Sequence, residues 1–237
     1  MAENDLELLE QQAKTRQEIE NAIVGVFAPE DEGLRHALAA AKEAGLPEIQ
    51  ISPIQGKLLQ LLAVACGARK ILEIGSLAGY SGIWLARALP IDGHFITLEI
   101  DPKHAEVVRS SYAHAGVAQC AEVRVGNALD LLPTLLSEAP FDLIFIDADK
   151  ISYPEYLTWA LRLTRTGSII VADNCVRNGL ALRAPEQLED QDTVALAEYN
   201  KRVADNSHLL SLVLAMDDDY TDGFNIAVVL ASKPSST

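Results

Sequence analysis

Two acidic segments of the sequence carry side chains that could bind a divalent cation. Asp147 ends the apolar run Phe141–Asp147, and Asp173 ends the run Ser168–Asp173, with Asn174 directly after it. If the two runs are neighbouring parallel strands, their axes lie about 4.8 Å apart and the three side chains converge. Two carboxylates this close repel unless a cation lies between them, and oxygen ligands favour Mg²⁺, Mn²⁺ or Ca²⁺ over Zn²⁺. The alternative to a cation site is that one of the two aspartates caps a helix and the other lies in a solvated turn.

Lys150 lies three residues after Asp147, close to the predicted cation. An isolated lysine is usually a solvated surface side chain, and this is the alternative for Lys150. Beside a divalent cation, however, the charged ammonium form is disfavoured, and the neutral amine of a lysine can act as a general base. Lys150 is therefore a candidate general base beside the predicted cation.

A glycine turn lies at the end of the first predicted strand. Gly75, Gly79 and Gly82 follow the spacing Gly-x3-Gly-x2-Gly, which differs from the Gly-x-Gly-x-x-Gly pattern that binds a pyrophosphate. The acidic Glu73, two residues before the first glycine, would repel a phosphate and favours a ligand that carries an ammonium group or several hydroxyls. An ordinary connection between a strand and a helix is the alternative for this turn.

Glu99 and Asn127 follow the next two predicted strands. Glu99 lies 24 residues after Gly75, where an acid binds ribose hydroxyls in nucleotide-binding sheets, and a solvated loop carboxylate is the alternative. The glycine turn before Glu99 favours the ribose interpretation. Asn127, between Gly126 and Ala128, either contacts an adenine edge or caps the helix that follows, and the sequence leaves both open.

The elements that position these residues alternate between strands and helices. The predicted strands are Lys70–Ile74, His94–Ile100, Ala121–Val125, Phe141–Asp147 and Ser168–Asp173, and the predicted helices are Tyr80–Leu89, Lys103–Ala115, Ala128–Leu136 and Pro154–Leu163. This alternation predicts an α/β fold, a doubly wound Rossmann-like sheet of about seven strands, mostly parallel, with helices on both faces. The runs Leu209–Ala215 and Asn225–Leu230 predict an antiparallel C-terminal hairpin, and ligands should bind at the carboxyl ends of the parallel strands.

The N-terminal part of the chain predicts helices and no strand. Apolar spacing favours helices over 5–27, Glu30–Ala44 and Gln55–Cys66. We expect one domain, residues 1–237, in which residues 1–48 form a helical extension that caps the pocket or makes a dimer contact and residues 49–237 form the catalytic core. The acidic segment 177–194 interrupts the alternation and predicts either a mobile loop or a polar surface helix.

Composition bounds the class of protein. The chain has 237 residues, of which 49% are apolar and 22% are charged, as is typical of one globular domain. Its 34 acidic residues against 19 Lys and Arg give a net charge of −15, so we expect neither nucleic acid nor an anionic membrane as a partner. The three distant cysteines fit neither a disulfide framework nor a zinc site. We expect a soluble cytoplasmic protein without a secretion signal or membrane span.

In combination, these residues resemble a known enzyme family. The matching segments occur in one order along the chain: Leu72-Glu-Ile-Gly75 to Gly79-Tyr-Ser81, Leu98-Glu-Ile-Asp101, Gly126-Asn-Ala128, Phe145-Ile-Asp-Ala-Asp-Lys150 and Val171-Ala-Asp-Asn174. From about Ile51 onward the chain is similar to the cation-dependent O-methyltransferases that use S-adenosylmethionine (SAM). That family includes the catechol and caffeoyl-coenzyme A O-methyltransferases and their bacterial relatives.

The resemblance implies a role for each residue. It implies that Asp147, Asp173 and Asn174 bind the cation, with Mg²⁺ first and Mn²⁺ or Ca²⁺ as alternatives, and that Lys150 is the catalytic base beside Asp147. The SAM-binding residues that it implies lie at successive strand ends: Glu73, Gly75, Ser76, Leu77, Gly79, Tyr80, Ser81, Glu99, Ile100, Asn127, Ala128, Asp147 and Asp149.

The reaction that the resemblance implies is methyl transfer from SAM to a hydroxyl of a catechol-like small molecule, by a homodimeric enzyme. The stretch after Asn174, Cys175-Val-Arg177, lacks the aromatic pair of relatives that act on flat aromatic acyl groups, so the substrate stays open. One alternative is a nicotinamide-dependent oxidoreductase on a related sheet, which the glycine spacing disfavours. Another is a non-catalytic SAM-binding scaffold protein, which the retained metal carboxylates and lysine disfavour.

Overall fold

The computed structural model describes residues 3–216 and 221–231. Within them lie seven strands: β1 (Lys70–Ile74), β2 (His94–Glu99), β3 (Ala121–Val125), β4 (Phe141–Ile146), β5 (Thr164–Ala172), β6 (Leu209–Ala215) and β7 (Gly223–Val229). The α-helices of the same residues are α1 (Glu3–Phe27), α2 (Glu32–Glu43), α3 (Pro53–Ala65), α4 (Tyr80–Ala86), α5 (Pro102–His114), α6 (Ala128–Leu131), α7 (Tyr153–Leu163) and α8 (Gln191–Asp205). None of the helices in these residues combines the length and apolarity needed to cross a membrane.

The strands form one sheet in the order β3-β2-β1-β4-β5-β7-β6. The strands β1 to β5 pair in parallel, whereas β7 runs antiparallel to both β5 and β6. The strand order reverses between β1 and β4, and a crevice opens beyond the carboxyl ends of the strands at such a reversal. The predicted Rossmann-like sheet with its antiparallel C-terminal hairpin is confirmed.

Alternate residues of the central strands face two separate cores. Ile144 and Ile146 of β4 pack on one side of the sheet with side chains of α7 and α8. Leu143 and Phe145 pack on the other side with side chains of α3, α4 and α5. Since successive side chains of a strand point to opposite faces, the nearly unbroken apolar runs of β1 and β4 require helices on both faces. Helices therefore cover both faces of the sheet, whereas the carboxyl ends of the parallel strands stay accessible to a ligand.

One predicted helix differs from the structure, one segment had been left open between a loop and a helix, and one helix was not predicted. The predicted helix over 128–136 splits into α6 and the 3-10 helix Leu132–Ser137, since Pro133 lacks the N–H for an α-helical bond. The segment 177–194 contains two short 3-10 helices and then the start of α8. The helix α8 buries Leu196, Tyr199 and Val203, whose spacing is helical and would have predicted it.

The N-terminal helices lie on the side of the sheet that holds α5. Asp31 caps α2 by accepting a hydrogen bond from the backbone N–H of Leu34, and α2 packs against α5. Leu38 and Ala41 of α2 face the crevice at the strand ends. The predicted boundary after residue 48 falls in the connection between α2 and α3.

Candidate active site

A cavity of about 720 Å³ lies beyond the carboxyl ends of the parallel strands. Most residues predicted to form the site line it: Gly75, Ser76, Leu77, Tyr80, Ser81, Glu99, Ile100, Asn127, Ala128, Asp147, Asp149, Lys150 and Asn174. Glu73, Gly79 and Asp173 are buried and do not line the cavity. The fold therefore brings together residues from the ends of five strands, β1 to β5. They are far apart along the chain because βα units lie between them.

The glycine turn between β1 and α4 is built on close backbone contact. Gly75 has a φ of +92°, and a Cβ on it would lie 2.0 Å from the carbonyl oxygen of Asp147. Gly79 has a φ of +85°, and a Cβ there would lie 2.7 Å from the ring of Tyr112. Both positions combine a left-handed conformation with a lack of space, which only glycine tolerates. The turn thus places its backbone directly against Asp147.

Glu99 holds this turn from the end of β2. Its Oε2 accepts hydrogen bonds from the Ser76 hydroxyl at 3.0 Å and from the backbone N–H of Leu77 at 3.0 Å. Its Oε1 accepts a bond from the backbone N–H of Asp101 at 3.0 Å. The next side chain, Ile100, is 67% exposed on the cavity wall. A fixed carboxylate therefore stands beside an apolar surface, an arrangement that fits a ribose with its base.

Asn127 caps a helix and also lines the cavity. Its side chain accepts a hydrogen bond from the backbone N–H of Leu129 at 2.8 Å, which caps α6. Since Asn127 and Ala128 lie on the cavity wall as well, the cap does not exclude contact with an adenine. Of the two alternatives drawn from the sequence, the helix cap is present in the structure.

Glu73 lies below the cavity, where no water reaches it. Its two carboxylate oxygens accept hydrogen bonds from the hydroxyls of Ser81 and Thr97, both at 2.6 Å. Complete burial raises the pKa of Glu73 to about 7, against an ordinary value of 4.5, although these two bonds oppose the shift. Thr97 is the register partner of Glu73 on β2, so the pair crosses the sheet below the turn. Glu73 thereby fixes Ser81, which does reach the wall.

Asp147 and Asp173 follow register partners of two neighbouring strands. Ile146 of β4 pairs with Ala172 of β5, so the residue after each strand reaches the same point on the sheet edge. Burial raises the pKa of Asp173 well above its usual range, and the nearby charge of Asp147 raises it further. Asn174 follows with a φ of +58°, and its side chain lines the cavity beside Asp147. The two strand ends that carry these three residues therefore lie side by side.

Lys150 is held in place by two hydrogen bonds. Its Nζ donates to Asp147 Oδ1 at 2.9 Å and to the hydroxyl of Tyr153 at 3.0 Å. The Tyr153 hydroxyl in turn donates to the carbonyl oxygen of Ile146 at the end of β4. Asp149 caps the 3-10 helix that carries Lys150 by accepting a bond from the backbone N–H of Ser152. The amine is therefore fixed at the cavity wall next to the two strand ends.

The donor set at these strand ends fits a hard divalent cation. Asp147, Asp173 and Asn174 offer only oxygen ligands, which Mg²⁺, Mn²⁺ and Ca²⁺ prefer. A cation would also relieve the cost of burying the Asp173 charge beside Asp147. Within the described ranges, no group of three or more His, Cys, Asp or Glu side chains is placed to hold a metal ion. The proposed set has only two members of these types, Asp147 and Asp173, and its third member, Asn174, is an amide.

Asp222 belongs to the site but is not among the residues predicted from the sequence. It lines the cavity immediately before β7, and its side chain accepts a hydrogen bond from the Asn174 amide at 3.1 Å. Because β7 is antiparallel, its first residues lie at the edge where β5 ends. The predicted hairpin already contained this signal, since the residue before an antiparallel strand meets the carboxyl ends of its parallel neighbours.

Comparison with known proteins adds the family. The O-methyltransferase family model matches residues 28–225 of this chain. A catechol O-methyltransferase from Niastella koreensis is 45% identical over 215 residues, which cover 89% of this chain and 96% of the relative. A catechol O-methyltransferase from Mycobacterium tuberculosis is 45% identical over 212 residues, covering 89% of this chain and 93% of the relative. The chain belongs to the O-methyltransferase family.

Solved structures agree with the family in fold. An O-methyltransferase from Bacillus cereus in complex with SAH matches with a TM-score of 0.85 and 40% identity, covering 92% of this chain and 99% of that one. An O-methyltransferase from Streptomyces achromogenes involved in tomaymycin synthesis, in complex with SAM, matches with a TM-score of 0.85 and 41% identity, covering 90% and 96%. The predicted enzyme class, a SAM-dependent O-methyltransferase, is confirmed by these matches. They argue against both the oxidoreductase and the non-catalytic scaffold.

Proposed function

We propose that the enzyme transfers a methyl group from SAM to one hydroxyl of a vicinal dihydroxy aromatic molecule in a reaction that requires a divalent cation. The observation that carries this proposal is the meeting of Asp147, Lys150 and Asn174 on one wall of the cavity. The glycine turn that begins at Gly75 forms the adjoining wall. The names of the two catechol O-methyltransferases, at 45% identity, support the substrate class.

The cofactor would occupy the part of the cavity between the glycine turn and α6. We assign its methionine part to the turn residues Gly75 to Ser81, its ribose hydroxyls to Glu99, and its adenine to Ile100, Asn127 and Ala128. The exposed apolar side chain of Ile100 beside the buried carboxylate of Glu99 supports this order. Asp147 and Asp149 close the same region from β4. SAM supplies the methyl group as part of a sulfonium ion.

Asp147, Asp173 and Asn174 would hold the cation, with Mg²⁺ first and Mn²⁺ or Ca²⁺ as alternatives. A cation held by these residues would act as a Lewis acid and would lower the pKa of a substrate hydroxyl. The oxygen-only donor set and the burial of the Asp173 carboxyl group beside Asp147 support the assignment. A catechol would offer two adjacent oxygens to such a site.

Lys150 would act as the general base. A phenol has a pKa near 10, so only about one molecule in a thousand is ionised at neutral pH. Lys150 would take the hydroxyl proton at Nζ, which Asp147 and Tyr153 hold at the wall. The phenolic oxygen then bonds to the methyl carbon while the carbon–sulfur bond breaks. Because an anion and a sulfonium ion give neutral products, the residues contribute mainly by positioning.

The substrate class is tested by comparing catechol with phenol. Both are incubated with the enzyme, SAM and Mg²⁺, and methylated product is measured by chromatography. We expect methylation of catechol and about 100-fold less or no product from phenol, which lacks the second oxygen for the cation. Equal rates with the two compounds would contradict chelation of the substrate.

We also propose that the enzyme is a cytoplasmic homodimer in which the N-terminal extension caps the cofactor pocket. Leu38 and Ala41 of α2 on the cavity wall support the capping role. The exposed apolar side chains of β6, among them Leu210 and Leu212, support a contact with a second copy. The three cysteines, all within the described residues, are free thiols, which supports a reducing compartment.

A further inference from the structure

Asp222 binds the loop that carries Asn174 through both of its carboxylate oxygens. Its Oδ1 accepts hydrogen bonds from the backbone N–H groups of Val176 at 3.1 Å, Arg177 at 3.2 Å and Gly223 at 2.9 Å. Its Oδ2 accepts a bond from Asn174 Nδ2 at 3.1 Å. Asp222 thus ties the start of β7 to the segment that follows β5.

These contacts decide which way the Asn174 amide points. An ionised carboxylate only accepts hydrogen bonds, so the Asn174 side chain must turn its NH₂ group toward Asp222. Its carbonyl oxygen then points away from Asp222. Among the residues that the structure describes, this is the one hydrogen bond made by the Asn174 amide. The oxygen and the NH₂ group of the amide have similar sizes. Without Asp222, no hydrogen bond would decide which of the two points toward the cation.

We propose that Asp222 is a positioning residue that presents the carbonyl oxygen of Asn174, rather than its NH₂ group, to the cation. The inference rests on the proposed function, because it assumes that Asn174 is a metal ligand. Only the oxygen of an amide ligates Mg²⁺ or Mn²⁺, so the orientation decides whether Asn174 contributes a ligand at all. Partners of metal ligands commonly set the orientation of those ligands in this way.

The substitution Asp222→Asn separates orientation from packing. Three backbone N–H groups keep an oxygen at the Oδ1 position, so the new NH₂ group must face Asn174. Two NH₂ groups cannot pair, and the Asn174 amide relieves the conflict by rotating through half a turn. This rotation turns the NH₂ group of Asn174, which does not ligate a cation, to the place where the carbonyl oxygen was.

Binding of Mn²⁺, followed by the electron paramagnetic resonance signal of the free ion, measures this effect without turnover. We expect Asp222→Asn to raise the Mn²⁺ dissociation constant about 10- to 100-fold. The dissociation constant of SAM, measured by calorimetry, reports folding and should stay within a few-fold of the wild-type value. Asp205→Asn, which removes the same charge at an exposed site of α8, should bind Mn²⁺ like the wild type.

The exchanged pair Asn174→Asp with Asp222→Asn provides the decisive variant. Its new carboxylate would accept a bond from the new amide with one oxygen and offer the other oxygen to the cation, at unchanged net charge. We expect Mn²⁺ affinity to return toward the wild-type value, even if Asp222→Asn alone fails to fold. Two results would overturn this inference and leave the proposed metal site standing. One is an exchanged pair that binds SAM but not Mn²⁺, and the other is an unchanged Mn²⁺ affinity in Asp222→Asn. A wild-type enzyme that binds no Mn²⁺ would overturn the metal site and the inference together.

Discussion

Lys150 is the side chain on which the proposed proton transfer depends. Its Nζ contacts Asp147, one of the proposed metal ligands, and the hydroxyl of the buried Tyr153. Tyr153 is in turn fixed to the end of β4, so the amine cannot leave the wall without losing both partners. A lysine held in this way presents its amine at one fixed position, whereas the side chain of a surface lysine is mobile.

Replacing Lys150 should separate catalysis from cofactor binding. We expect Lys150→Met to lower kcat by about 100-fold or more, since a general base contributes this much to a rate. The dissociation constant of SAM should change little, because the assigned ribose ligand is Glu99. Steady-state kinetics and calorimetry check the two values, and Lys201→Met on the surface of α8 is the control. A Lys150→Met enzyme with normal kcat would remove the assigned base.

At the scale of elements, the β1–α4 turn joins the proposed cofactor region to the proposed metal region. Gly75 approaches the carbonyl oxygen of Asp147 so closely that any side chain would push the two strand ends apart. The backbone N–H of Asp147 also donates to the carbonyl oxygen of Ile74 at 2.9 Å. The proposed cofactor turn and the proposed metal-binding strand end are therefore in direct backbone contact.

Gly75→Ala should damage both regions, whereas Gly116→Ala should not. Gly116 has a φ of +70° with open space around it, so the alanine there costs about 1 to 2 kcal/mol of unfolding free energy from backbone strain alone. Gly75→Ala adds the overlap with Asp147 and should cost several kcal/mol more and weaken SAM binding. Urea unfolding and calorimetry measure both variants. Equal losses in the two variants would show that the contact with Asp147 is unimportant.

The sequence predicted more of the parallel sheet than of its C-terminal side. The strands before Asp147 and Asp173 are short apolar runs, so their ends and the convergence of their carboxylates could be predicted. Asp222 was missed because the predicted last strand begins at Asn225, whereas β7 begins at Gly223, directly after Asp222. The helix α8 was missed because acidic residues at its start resemble a solvated loop, although Leu196 and Tyr199 are buried.

At the scale of the whole molecule, the buried Glu73 links stability to pH. Its pKa is about 7 in the folded protein, against 4.5 for an exposed glutamate. The folded state therefore binds the proton more tightly than the unfolded state does. Stability from this group is fully present below pH 4.5 and is lost as the pH rises through about 7. Most of the net charge of −15, in contrast, comes from other carboxylates and contributes to solubility.

Glu73→Gln should remove this dependence. One pKa unit corresponds to about 1.4 kcal/mol. We therefore expect the difference in unfolding free energy, variant minus wild type, to rise by about 2 to 3 kcal/mol between pH 5 and pH 8. The glutamine can still pair with the hydroxyls of Ser81 and Thr97, which rotate to suit it. Urea unfolding at several pH values gives the difference, in which other titrating groups cancel. A constant difference would mean that Glu73 is ionised throughout.

The most direct test of metal-dependent methyl transfer is the rate of catechol methylation as Mg²⁺ is titrated into metal-stripped enzyme. We expect no product without the cation, a saturable rise for the wild type, and about 10- to 100-fold more Mg²⁺ needed by Asp173→Asn. Asp92→Asn, which removes an exposed carboxylate, should match the wild type. Equal methylation by the metal-stripped and the Mg²⁺-loaded wild-type enzyme would contradict the proposed mechanism.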